Sequence, residues 1–180
     1  VKGWNITLTG TTLDGASVSL KATTAVDGSY SFTGLSAGRY TVAEESKAGW
    51  EVVGPASYTL DLTASKSDVN FVNRLVSGLS IGGKKTNETG VAKKDWNITL
   101  TGTTFDGSAV SLNATTAVDG SYSFTGLFAG SYTVSEETKV GWEAVGPASY
   151  SFSIMSGSIN VNFVNRLVSG LSVSGKKINE

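Results

Sequence analysis

Residues 4–88 of this chain align without a gap to residues 96–180, an offset of 92, and 62 of the 85 aligned positions are identical. Trp4-Asn5-Ile6-Thr7-Leu8-Thr9-Gly10 returns as Trp96-Asn97-Ile98-Thr99-Leu100-Thr101-Gly102, and Asn70-Phe71-Val72-Asn73-Arg74-Leu75 as Asn162-Phe163-Val164-Asn165-Arg166-Leu167. A repeat of this length is one small domain written twice, so two thin cores are expected instead of one large one. The phase of the repeat is as informative as its length. Segment 79–88 precedes the second copy and reads as its first strand, whereas the first copy has no such segment before it. The counterpart lies at the other end, in 171–180. The expected organisation is therefore module 1 over 1–76 without its first strand, module 2 over 77–167, and a tail over 168–180. The tail is a candidate donor strand for module 1 of a neighbouring copy, with Leu171, Val173, Gly175 and Lys177 on its docking face.

Composition removes most alternatives. The chain has no Cys and no His, which excludes thiol chemistry, disulfides, Ser-His-Asp triads and nearly every transition-metal site. A net charge of −1 with scattered Lys and Arg argues against nucleic acid as a partner. No run of 18 apolar residues occurs, so no membrane-spanning segment is expected. The chain starts at Val and carries no signal peptide, as a mature or processed segment would. Asp14, Asp27, Asp106 and Asp119 read as turn residues, no carboxylate pair reads as a glycosidase dyad, and no Gly-rich stretch has phosphate-loop spacing. No enzyme activity on an external substrate, no cofactor and no metal are expected.

What remains is an all-β pattern: short strands punctuated by turn signals every 8–12 residues or so. In module 2 strands are expected over 79–86, 96–102, 110–116, 121–124, 131–137, 148–154 and 160–165. The Asp106-Gly107 and Asp119-Gly120 pairs mark hairpins, because both residue types tolerate positive φ. Trp96, Ile98 and Leu100 share one face of an alternating strand and Asn97, Thr99 and Thr101 the other. Trp4 and Trp96 thus point to the core, and Trp50 and Trp142, each in a Gly-x turn, cap it. Phe128, where module 1 has Ser36, is expected to be exposed. Asn-x-Ser/Thr sequons stand at Asn5, Asn87, Asn97 and Asn113. They would accept glycans on an exported protein, although a Thr-rich strand protein also produces such triplets by chance.

The run Asp27-Gly28-Ser29-Tyr30-Ser31-Phe32-Thr33-Gly34-Leu35, followed by Ala37-Gly38-Arg39-Tyr40-Thr41-Val42, resembles the prealbumin-like sandwich repeats of surface proteins. These are the collagen-adhesin B-type and Sdr B-type repeats of bacteria and related archaeal repeats. Glu44-Glu45-Ser46-Lys47-Ala48-Gly49-Trp50 resembles the family's E-box, and Val69-x-Phe71-x-Asn73 its last strand. The resemblance covers essentially the whole chain and implies two tandem prealbumin-like (Ig-like) β-sandwiches on an extracellular or cell-surface protein. Many relatives carry an Asp-rich, calcium-binding loop after the first strand. Here it is Thr86-Asn87-Glu88-Thr89-Gly90, with one carboxylate, too few oxygen ligands for a hard cation.

Some members of the family form an isopeptide bond between a first-strand Lys and a last-strand Asn, helped by a buried Glu. Strand parity tests whether this sequence permits it. Leu79, Ile81, Gly83 and Lys85 share a face; so do Tyr132, Val134 and Glu136; so do Val161, Phe163 and Asn165. Lys85, Glu136 and Asn165 thus extend three apolar faces and are expected to meet within module 2. Their counterparts Lys177, Glu44 and Asn73 would meet between copies. Asn73 to Lys85 and Asn165 to Lys177 are both 12 positions, so the tail leaves module 2 as the internal linker leaves module 1. The competing reading of these residues is an ordinary Lys–Glu ion pair, or a lysine that snorkels to solvent.

Three functional readings stand at this point. The first is the repeating subunit of a fibre, sheath or surface stalk, assembled head-to-tail with copies of itself by strand donation. The second is a fragment of a longer tandem-repeat surface protein. The third is an adhesin or carbohydrate-binding accessory module, against which the near-identity of the repeats counts.

Overall fold

The computed structural model describes residues 1–178; Asn179 and Glu180, the last two positions of the expected donor segment, lie outside the described residues. The chain divides into two compact units, Val1–Leu75 and Val76–Glu180. Both are built from strands alone among the described residues.

Unit 1 contains β1 (Asn5–Thr12), β2 (Ser17–Thr23), β3 (Gly38–Glu44), β4 (Trp50–Val52), β5 (Ser57–Leu62) and β6 (Asn73–Leu75). An antiparallel sheet runs in the order β2-β1-β3-β5, and β4 pairs with β6 in a two-stranded ribbon. Unit 2 contains β7 (Leu79–Asn87), β8 (Asn97–Thr104), β9 (Ala109–Thr115), β10 (Ser121–Leu127), β11 (Gly130–Glu136), β12 (Trp142–Ala144), β13 (Ser149–Ile154), β14 (Ser158–Asn160) and β15 (Phe163–Leu167). Its first sheet, β13-β11-β8-β9, repeats that of unit 1. Its second runs β10-β7-β15-β12, with β14 also pairing β7. β7 is the centre of this second sheet, antiparallel to β10 and parallel to β14 and β15.

Alternation sets which side chains are buried. Ile98, Leu100, Tyr132 and Val134 from the first sheet, Leu79, Ile81, Tyr122, Phe124 and Phe163 from the second, and Val161 between β14 and β15 are all buried. Backbone approach at the centre is tight: a Cβ added to Gly83 would lie 1.7 Å from the Val161 carbonyl oxygen, so only glycine fits there.

Three strand expectations are corrected. The last strand, expected as 160–165, is two strands, because Val161 N–H donates to Gly82 O and the Asn162 side-chain oxygen accepts from Lys84 N–H, breaking the ladder between β14 and β15. β12, which begins at the expected turn residue Trp142, pairs with β15. β9 stops at Thr115, because the buried Thr116 hydroxyl accepts from Trp96 N–H and donates to Lys93 O.

Unit 1 shows what its sequence does without a β7. Residues 28–35 are identical to 120–127, yet the latter make β10 and the former make no strand. Likewise Phe71 to Leu75 repeat Phe163 to Leu167, and only Asn73–Leu75 is a strand. Tyr30, Phe32, Leu35, Leu62, Val69 and Phe71 are only partly buried, whereas Tyr122, Phe124, Leu127, Ile154, Val161 and Phe163 are each at most 6% exposed.

Candidate functional site

The central strand of unit 2 places Lys85 one step beyond Gly83 on the inward face. β11 ends with Glu136, and β15 carries Asn165 in register with Asn87. The three side chains meet in the core. Lys85 is fully buried, with its Nζ 2.6 Å from Glu136 Oε2, and the Glu136 side chain is 2% exposed. Lys85 Nζ also donates to the Asn165 side-chain oxygen and lies 4.3 Å from the Trp96 ring centroid. Burial pushes the Lys85 amine below its usual range, against the opposing pull of Glu136. Burial pushes the Glu136 carboxyl up, against Lys85 and Asn165. Both directions favour a neutral amine beside a protonated acid, the state in which the amine is a nucleophile. Glu137 faces the other way: it accepts from Asn97 N–H and pairs with Lys139 at 3.1 Å.

In unit 1 the same carboxylate and amide meet without a lysine. Asn73 Nδ2 donates to Glu44 Oε2 at 2.6 Å, and Glu44 Oε1 is buried with no hydrogen-bond partner among the described residues. Around this pair opens a groove of about 840 Å³. Its lining includes Trp4, Tyr30, Phe32, Val69, Phe71 and Asn73, the counterparts of residues that β7 covers or pairs with in unit 2. The tail carries the β7 pattern but forms no strand over its described residues. Leu171, Val173 and Ile178 are 81%, 104% and 79% exposed, Lys177 is exposed, and nothing lies within 4 Å of a Cβ added to Gly175.

The remaining expected residues divide cleanly. Trp4 and Trp96 are buried and meet Trp50 and Trp142 edge-to-face, each pair at 5.8 Å between centroids; these are packing contacts. Phe128 is exposed, and its carbonyl accepts from the Tyr132 hydroxyl. Among the sequons, Asn97 and Asn113 are exposed. Asn5 is half-buried and bonded to Glu45 and Thr23, and the Asn87 side-chain oxygen accepts from Val91 N–H. Sequence reasoning missed the stacking of Lys85 on Trp96, whose only sequence signal was the inward parity of both residues.

No protein-family model and no curated protein matches the chain. Among solved structures, the TIE protein of Bacillus anthracis matches with a TM-score of 0.63 at 20% identity, over 93% of this chain and 31% of that one. The C-terminal fragment of the pilus adhesin SpaC from Lactobacillus rhamnosus GG matches with a TM-score of 0.53 at 14% identity, over 94% and 92%. This chain therefore spans about a third of the length of the TIE protein. At these identities the likeness is one of fold, and the fold is the all-β, Ig-like sandwich architecture expected from the sequence.

Proposed function

We propose that this protein is a structural subunit of a pilus-type cell-surface filament or stalk. Copies join head-to-tail when the 168–180 tail of one enters the groove of unit 1 in the next. The observation that carries this reading is the difference between two units of nearly the same sequence. Where β7 is present the second sheet is complete; where it is not, an apolar groove is left whose counterpart strand is repeated, exposed, in the tail. Edge groups of Tyr30–Phe32 and Asn73 supply the backbone pairing, and the half-buried aromatic side chains supply the apolar contact. Within unit 2, Lys85 attacks Asn165 to form an isopeptide bond, with Glu136 moving the protons. Pre-positioning of the three groups supplies the high effective concentration this single turnover needs. A bond joining the first and last strands would stop the sandwich from unzipping under tension.

Sedimentation of the purified chain at rising concentration tests strand donation. Large, concentration-dependent species are expected, lost on truncation after Gly170; monomer at every concentration rejects it. A second reading, in which this chain is part of a longer repeat array, is favoured by the 31% coverage of the TIE protein. It keeps the same strand hand-off between successive units of one polypeptide.

A further inference from the structure

We infer that the outer face of the β13-β11-β8-β9 sheet of unit 2 is a binding surface for a neutral polysaccharide laid across the strands. Two units of nearly the same sequence differ here in a concerted way. The outer face of the β2-β1-β3-β5 sheet in unit 1 carries three charged residues, Lys21, Arg39 and Asp61, and their counterparts in unit 2 are Asn113, Ser131 and Ser153. Every charge on the face is thus exchanged for a small, uncharged hydrogen-bonding group. Glu136, the one charged residue in these four strands of unit 2, points inward to Lys85.

Strand register turns the face into rows. Ser151, Thr133, Thr101 and Ser111 stand opposite one another across all four strands, with about 4.8 Å from strand to strand. Ser149, Ser135, Thr99 and Asn113 form the next row. Thr133 and Ser151 share a hydrogen bond at 2.8 Å, and Ser131 and Ser153 share another at 2.8 Å. In the latter place unit 1 has Arg39 facing Asp61 at 3.8 Å, both largely exposed. With serines there instead, the four hydroxyl residues line a shallow depression of about 340 Å³ together with Tyr132 and Phe152.

The chemistry of the rows selects the ligand. A hydroxyl has one donor and two acceptor lone pairs, so each bonded pair still offers one O–H and free lone pairs. A sugar hydroxyl uses both kinds of partner at once. Among the described residues this face has no Lys or Arg to hold an anionic polymer and no carboxylate to hold a cationic one. Covering an unpaired charge is costly, so the exchange of all three charges suits a surface that an uncharged polyol covers. A second copy of the chain fits less well by area. Four strands of about seven residues make a face of roughly 450 Å², about half of the 800 Å² or so that each partner of a stable protein pair buries. A polymer instead gains by touching many such faces at once, weakly at each.

The face is also preorganised. Ile98, Leu100, Tyr132 and Val134 are buried on the other side of the same strands, which fixes the backbone under the rows. Short Ser and Thr side chains have little rotamer freedom to lose on binding, so ordering costs are low. The face needs no strand from outside unit 2, and it works whether units join within one polypeptide or between copies.

The test measures depletion of the full chain from solution by suspensions of cellulose, chitin and a β-1,3-glucan, with a polygalacturonate gel as the anionic control. Saturable retention on at least one neutral polymer and none on the anionic gel is expected. Combining Asn113→Lys, Ser131→Arg and Ser153→Asp gives unit 2 the charges that unit 1 already carries in the same register. Retention by that variant should fall about tenfold or more, with both thermal transitions unchanged. Thr133→Val keeps the shape and removes one hydroxyl, and should weaken retention about two- to tenfold. Lys21→Asn, Arg39→Ser and Asp61→Ser together build a second such face on unit 1 and should strengthen retention. No retention on any of the three neutral polymers overturns the proposal. So does retention that the charged variant keeps in full, or retention on the anionic gel alone. Self-association of the wild type that the charged variant loses assigns the face to a second copy and likewise overturns it.

Discussion

Replacing Asn165 with Ala removes the carbon that Lys85 would attack while leaving the Lys85–Glu136 pair in place. The residues to be joined are 80 positions apart, so the cross-link closes nearly the whole of unit 2. Treated as a loop constraint on the unfolded chain, this is worth about 4.5 kcal/mol. Loss of the acceptor that Lys85 uses adds about 1–3 kcal/mol. For a domain of about 100 residues each kcal/mol is worth roughly 5 °C in midpoint. The upper thermal transition of Asn165→Ala is therefore expected about 28–38 °C below that of the wild type. Intact mass in denaturant supplies the independent readout: wild-type monomer lighter than its sequence by one ammonia, Asn165→Ala at full mass. Asn73→Ala in the monomer, where no lysine reaches the site, is the internal control and should change neither the ammonia count nor the upper transition. Full, unmodified mass for the wild type would refute the cross-link. A wild type lacking one ammonia yet melting with Asn165→Ala would refute the loop-entropy reasoning while leaving the bond.

Other consequences are smaller or more local. Gly83→Ala drives a methyl into the Val161 carbonyl and should cost unit 2 about 3 kcal/mol or more; an unchanged upper transition in calorimetry would contradict the close approach. Thr116→Val strips a buried hydroxyl from both Trp96 N–H and Lys93 O and should cost about 1–3 kcal/mol. Thr24→Val removes the matching pair of bonds in unit 1 and should lower only the lower transition, read in the same scans. Lys85→Met leaves Glu136 buried and alone, its pKa raised above the unfolded value of 4.5 by burial. Its stability should be fullest below pH 4.5 and fall as pH rises through the raised value. Glu136→Gln leaves Lys85 with a pKa lowered from 10.5 by burial, so that variant should instead gain stability as pH rises toward 10.5. Denaturation midpoints across pH, referenced to the double variant, check both slopes, and equal slopes would contradict the burial argument.

How far the sequence could be read depended on what each element needs from its surroundings. Parity alone placed Lys85, Glu136 and Asn165 on inward faces, because a two-residue period admits only two choices and the apolar neighbours decide between them. The break between β14 and β15 was not legible, since it rests on the Asn162 side chain capturing Lys84 N–H, and no local pattern announces a long-range bond. β12 was hidden for a related reason: three residues after a Gly turn form a strand only because β15 lies beside them. The 840 Å³ groove of unit 1 was foreshadowed by repeat phase, but its lining was not, because it follows from which segments fail to pair.

That failure is the most general point the molecule makes. Gly28 to Leu35 and Gly120 to Leu127 have the same eight residues in the same order, so every intrinsic propensity is equal between them. One is a buried strand and the other has no regular structure. The difference is β7, against which Ser121 to Phe124 pair. Strand formation here is thus a property of a partner, as expected when β-propensity reflects packing on a half-buried surface more than a backbone preference. Unit 1 thus has one regular half, the β2-β1-β3-β5 sheet with Ile6, Leu8, Tyr40 and Val42 buried, and a second half in which only β4 and β6 pair. Amide exchange should divide along that line. Protection is expected in β1 and β3 of the isolated subunit, with rapid exchange over 28–35 that slows on assembly to match 120–127. Equal protection of the two identical octapeptides in the monomer would refute the idea that β7 is what makes the strand.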